Sequence, residues 1–235
     1  MSASSHPGLG SLRRHHGRAD EPDVAQYRYG VVFILILITV VFLIVAPEGD
    51  ASRAIGFAIA GAALLVAIVT SRERNVVRRR RVVGATVTIV VVTVLTAAGA
   101  IPRAATQGIS VVMTLAVPLT LGGGLLRLVR ERGATPQAVA GGLAIYLLLG
   151  LLFASVIGFV AGLGSAHFFA QTAQDTTSQR VYYSFTVLTT TGFGDFTAAH
   201  GVGRAIAVIE MLFGQIYLVT VISILIGRRI EQAKS

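Results

Sequence analysis

Seven consecutive residues concentrate polar chemistry in an otherwise apolar stretch: Thr189-Thr190-Thr191-Gly192-Phe193-Gly194-Asp195. Hydroxyls and glycines at this density favour an extended, oxygen-rich loop over a helix. Immediately before it, residues 180–188 read RVYYSFTVL, apolar and aromatic enough for a helix of about three turns. Residues 165–179 read as a polar outer loop leading into that helix. A short helix followed by such a loop is expected to be re-entrant. Non-helical backbone at membrane depth is tolerated only where it is buried in protein or lines an aqueous cavity. Glu210 is the one acid well inside an apolar run, and an intramembrane ionisable group is a functional candidate by default. It is placed to brace the loop from behind, to pair with a neighbour, or to stay protonated. His167 and His200 have no adjacent acid or nucleophile, and the chain has no cysteine. Neither an enzyme nor a thiolate metal site is therefore expected.

The elements that must position this loop follow from composition. The 235 residues are 54% hydrophobic and 13% charged, with a formal net charge of +9. An ordinary soluble domain is about 25% charged. A chain so short of charge cannot cover a soluble surface, which excludes a disordered chain or a free soluble enzyme. Apolar runs stand at 30–46, 54–70, 82–100, 109–126, 138–164 and 202–227. Their length and lack of alternation predict helices. The expected fold is an all-α integral membrane protein of six transmembrane helices, with the re-entrant helix and loop between helices five and six. Sixteen Lys and Arg residues lie on one set of alternate connections, against Arg53, Arg103, Arg180 and Arg204 on the other. The positive-inside rule then sets both termini in the cytoplasm, on the inner face of the cell membrane. This accounts for the net charge without a nucleic-acid partner. Arg78, Arg79, Arg80 and Arg81 mark topology and offer a site for anionic lipid, each charge contributing about 1 kcal/mol near the surface.

Three regions follow: a cytoplasmic N-terminal tail (1–29), a four-helix region (30–134) and a terminal module holding the loop (135–235). The fourth run, 109–126, contains no Arg or Lys. It lacks the charges of a voltage sensor, so voltage dependence is expected to be weak at most. Gly56, Ala58, Ala60 and Gly61 in the second run suit close helix packing. Gly122-Gly123-Gly124 reads either as packing or as a flexible break.

The sequence YYSFTVLTTTGFGDFTA, followed by a helix beginning GVGRAIAVIE, closely resembles the pore module of tetrameric potassium channels, over about residues 138–229. Looser resemblance extends to bacterial channel proteins in which four small helices precede one such pore. The resemblance implies a selectivity filter at Thr190, Thr191, Gly192, Phe193 and Gly194. Backbone carbonyls of Phe193, Gly192, Thr191 and Thr190, with the Thr190 hydroxyl, would hold dehydrated K+. Carbonyls that point the same way need backbone of alternating hand, which Gly192 and Gly194 permit. One chain supplies one filter segment, so the implied partner is the chain itself, as a homotetramer. No cofactor is implied beyond K+ in the filter.

Supporting roles come from the same resemblance. Asp195 would hydrogen-bond the pore helix at Tyr182 or Tyr183 and hold the outer mouth. Thr186 stands where some relatives carry a pore-helix carboxylate. Gly214 occupies the hinge position, read equally as a close helix crossing. Gln215, Leu218 and Ile222, spaced by three and four, would line the cavity. Phe193 replaces the usual Tyr, removing a bracing hydroxyl. Thr191 replaces the usual Val, with its hydroxyl facing away from the pore toward a partner or a water. The expected function is a potassium channel. Alternatives are a less selective monovalent cation channel and a non-conducting sensor or scaffold on the same fold.

Overall fold

The computed structural model describes residues 29–70, 75–98, 103–133, 135–164, 167–172, 174–224 and 227. Residues 1–28 of the N-terminal tail and the basic residues Arg228, Arg229 and Lys234 lie outside them, while Tyr29 already opens the first helix. So do the side chains of Arg78, Arg79, Arg80, Arg81 and Ile222.

Among the described residues, seven helices occupy the apolar runs and the short segment between the last two. They are α1 (Tyr29–Val45), α2 (Asp50–Thr70), α3 (Asn75–Ala97), α4 (Arg103–Arg132), α5 (Pro136–Leu163), α6 (Thr177–Leu188) and α7 (Gly201–Tyr217). A π-helical turn, Leu218–Ile222, continues α7. Among the described residues, three stretches are long and apolar enough to cross a membrane: Gln107–Arg130, Pro136–Leu163 and Gly201–Val221. Shorter apolar helical stretches are Tyr29–Val45 and Thr86–Leu95. The chain is therefore an all-α membrane protein.

Helix α5 is the hub, packed against α1, α4, α6 and α7. Thr135 caps its start, its hydroxyl accepting from the Ala138 amide at 3.2 Å, with Pro136 in the first turn. Its buried face is rich in small residues, including Ala138, Gly141, Gly142, Ala144, Ala154 and Gly158. Small residues let helix axes approach where lipid supplies no hydrophobic drive between helices. Two glycines make this concrete. A Cβ on Gly141 would stand 3.0 Å from the Tyr29 ring of α1, and one on Gly150 would stand 2.7 Å from the Phe185 ring of α6. In α1, Tyr29, Val32, Ile36 and Val40 are buried while Val31, Ile34, Ile38 and Val41 are exposed. A helix apolar all round suits one face on protein and the other on lipid. The small residues of α2 also pack closely, since a Cβ on Gly61 would meet Ile89 of α3 at 2.5 Å.

Helix α4 contains Pro118 yet runs unbroken through Gly122-Gly123-Gly124, and a Cβ on Gly122 or Gly123 would meet nothing within 4 Å. Around the proline, the Thr114 hydroxyl donates to the Ser110 carbonyl at 2.7 Å and the Thr120 hydroxyl to the Val117 carbonyl at 2.8 Å. These are hydroxyl bonds back onto the preceding turn, of the kind threonine makes inside helices.

The short helix α6 begins at Thr177, three residues earlier than residue 180. The cause is a capping box: the Thr176 hydroxyl accepts from the Gln179 amide at 3.2 Å, and the Gln179 side chain accepts from the Thr176 amide at 3.1 Å. A second cap arrives from the α1–α2 turn. Glu48 Oε1 accepts from the Thr177 amide at 2.6 Å, and the Ser178 hydroxyl donates to the Ile44 carbonyl at 2.7 Å. A carboxylate at a helix N-terminus also meets the positive end of the helix dipole. Thr176→Ala is expected to cost about 1 kcal/mol, read as a lower Tm of the purified protein, whereas Thr176→Ser retains the wild-type value.

Candidate functional site

The segment after α6 has a regular backbone signature. Among the described residues outside glycine, positive φ occurs at Thr190 alone (φ 56°); Gly192 (52°) and Gly194 (81°) follow at two-residue steps. Left-handed backbone therefore recurs at every second residue. Glycine adopts it freely, but a threonine held there costs roughly 1–3 kcal/mol. Two bonds hold Thr190: its amide donates to the Val187 carbonyl at 2.9 Å, and the Gln215 side-chain amide of α7 donates to its hydroxyl at 3.2 Å.

The last turn of α6 meets this segment group by group. A helix leaves its last four carbonyls without intrahelical partners. Here Phe185 O accepts from the Thr189 amide and hydroxyl, and Thr186 O from the Thr191 and Gly192 amides at 2.9 and 3.1 Å. Val187 O takes the Thr190 amide, and Leu188 O the Tyr146 hydroxyl of α5 at 3.2 Å. Since Thr189 donates to Phe185 O, the 2.9 Å contact between the Thr189 and Thr191 hydroxyls has Thr191 as its donor. The Thr191 side chain is thus tied to the root of the loop. Thr186, buried, donates its own hydroxyl to the Tyr183 carbonyl at 2.8 Å.

The outer end of the loop rests on Tyr182. The Tyr182 hydroxyl stands beside the Asp195 carboxyl, and Asp195 Oδ1 accepts from the Phe196 amide at 3.1 Å. The Phe193 ring stacks on Tyr182, with centroids 6.4 Å apart and planes 9° from parallel. Tyr183 points elsewhere, into an aromatic cluster with Phe168 and Phe169. An antiparallel bridge between Phe169 and Ala198 ties the segment before α6 to the segment after the loop. Gln171 reinforces it, accepting from the Thr197 amide at 2.9 Å and donating to the Thr197 hydroxyl at 2.8 Å. Residues 189–195 are exposed on the single chain, Phe193 by 69%.

Behind α6 lies α7. Glu210 is fully buried, and its Oε1 contacts the Ser184 hydroxyl of α6. Gly214 faces the end of α6: a Cβ there would lie 2.5 Å from the Leu188 carbonyl oxygen. Gly214 therefore makes a close crossing within continuous helix. Gln215 sits beside Thr190, and Leu218 is half-buried at the start of the π turn. The step from Leu218 to Ile222 lies inside that turn. The i→i+5 bonding there widens the turn locally, and the side chain of Ile222 lies outside the described residues.

Near the start of α6, Arg180 is buried and donates to the Asp175 carboxylate at 3.2 Å, the Asp175 carbonyl at 3.0 Å and the Thr177 hydroxyl at 3.1 Å. Burial pushes the Asp175 carboxyl above the usual range; Arg180 opposes the shift, and nearby Glu48 adds to it. Ser184, Gln179 and Glu48 were not singled out by sequence reasoning. Only Gln179 carried a local signal, the Thr-x-x-Gln spacing from Thr176.

Residues 143–230, from α5 to past the π turn, match the family model described as Ion channel. The match supports an ion channel domain over that segment. No curated protein and no solved structure matches the chain.

Two predictions follow from these contacts. Gly214→Ala forces a Cβ onto backbone and is expected to cost roughly 1–3 kcal/mol, the scale of overpacking. Gly122→Ala, with nothing within 4 Å of the added carbon, leaves Tm unchanged or raised. For Asp175, the folded state binds its proton more tightly than the unfolded state. Its contribution is complete below the ordinary carboxylate range and is lost as pH rises through the raised value. Asp175→Asn is expected to flatten that part of a Tm-against-pH profile.

Proposed function

We propose that the chain is one subunit of a homotetrameric potassium channel, with residues 190–194 of four copies forming the filter. The observation that carries this is positive φ at Thr190, Gly192 and Gly194 in a loop rooted on the end of α6, together with the ion channel match over the same segment. Alternating backbone hand turns successive carbonyls to one side. Rings of such carbonyls can replace the hydration shell of a cation. Carbonyls of Thr190, Thr191, Gly192 and Phe193, with the Thr190 hydroxyl, are the K+ ligands in this reading. Asp195, Tyr182, Thr186 and Glu210 are supporting residues.

The tetramer is favoured by what a single chain leaves uncovered. The loop is exposed, as are Val208, Ile209, Leu212, Phe213 and Ile216 along α7. A second copy and lipid would cover them. In the membrane the chain would span six times with both termini cytoplasmic, α1 to α4 surrounding the pore helices and lacking a voltage sensor. The arginines 78–81 would face anionic lipid of the inner leaflet. A less selective cation channel is the second reading, favoured by Phe193, which is braced by stacking on Tyr182 and has no hydroxyl to anchor it.

Purified protein reconstituted into vesicles is expected to conduct K+ in preference to Na+. Gly192→Ala is expected to abolish the flux, because alanine at φ 52° is strained. Comparable flux of both ions would favour the second reading. No flux, flux indifferent to Gly192→Ala, or a stable dimer would overturn the channel.

A further inference from the structure

The contacts of Ser184 and Glu210 contain more oxygens than an ionised Glu210 can supply with protons. The Ser184 hydroxyl lies 2.7 Å from the Gly150 carbonyl of α5 and in hydrogen-bond contact with Glu210 Oε1 of α7. A serine hydroxyl has one proton to donate. The Gly150 carbonyl has none and can only accept. If Ser184 donates to a Glu210 carboxylate, its oxygen stands against the Gly150 carbonyl with nothing between them. If Ser184 donates to Gly150, its oxygen stands against a carboxylate with nothing between them. Both contacts are hydrogen bonds only when Glu210 brings a proton of its own.

The surroundings agree. Glu210 is fully buried, and its Oε2 has no hydrogen-bond partner among the described residues. The ionisable groups beside it are Tyr146 of α5 and Tyr183 of α6, neither of them a cation. Among the described residues no Lys or Arg pairs with it. An ionised carboxylate in such a place would be uncompensated; a neutral acid leaves only a carbonyl oxygen unpaired.

We infer that Glu210 is a neutral carboxylic acid and a positioning residue, donating to Ser184, which in turn donates to the Gly150 carbonyl. This directional relay ties α7 through α6 to α5 directly behind the loop. The proton does not depend on the channel reading; the effect on flux does.

Infrared difference spectroscopy of the folded protein at neutral pH tests it. Wild type minus Glu210→Gln is expected to show the C=O stretch of a protonated carboxyl, shifted in the Ser184→Ala background, where that acid loses its acceptor. Glu210→Gln retains an N–H donor and is expected to keep K+ flux within about threefold of wild type. Glu210→Ala and Ser184→Ala are expected to lower flux at least tenfold. A carboxylate band at Glu210 in place of the acid band would overturn the proton. Equal loss in Glu210→Gln and Glu210→Ala would overturn the donor role. If Glu210→Ala fails to fold, the band and its shift in Ser184→Ala still decide. A channel that proves silent leaves the spectroscopic result standing on its own.

Discussion

A helix leaves its last four carbonyls without intrahelical partners, and the chain must supply others. The end of α6 meets that constraint in full. All four of its terminal carbonyls are taken: two by amides of the following loop, one by both an amide and a hydroxyl, and one by Tyr146. Two of the loop's three left-handed residues, Thr190 and Gly192, give their amides to these carbonyls. Thr190 is held at positive φ by a carbonyl behind it and by Gln215 beside it. Strain at one residue is offset by bonds made at several.

The same accounting explains the glycines that matter. Gly214 lets α7 come close enough for Gln215 to reach Thr190, and Gly150 admits the Phe185 ring beside the carbonyl that Ser184 uses. A methyl at either place would separate the helices whose proximity shapes the loop. Gly122, in open space, has no such duty.

Much of this was legible in the sequence. The apolar runs mark the helices to within a few residues, except where caps or charged turns extend them. The arginines at the N-terminus of α3 lie in helix although their charge reads as connection. The start of α6 was written in Thr176 and Gln179, whose pairing outweighs the polarity of residues 177–179. The loop itself was legible from its hydroxyls and glycines. What stayed hidden depends on residues distant in sequence. Ser184 and Glu210 meet across 26 positions, and nothing local marks either as the other's partner. The π turn is equally silent, since residues 218–222 carry no glycine or proline to announce it.

The two bonds from the α1 end to the start of α6 also act as a direct linkage. Ile44 lies at the end of α1 and Glu48 in the turn that follows, and they bond to Ser178 and Thr177 respectively. Those residues open the helix whose far end carries the loop. The end of α1 and the turn after it are thus joined directly to the start of that helix, besides the packing of both helices on α5.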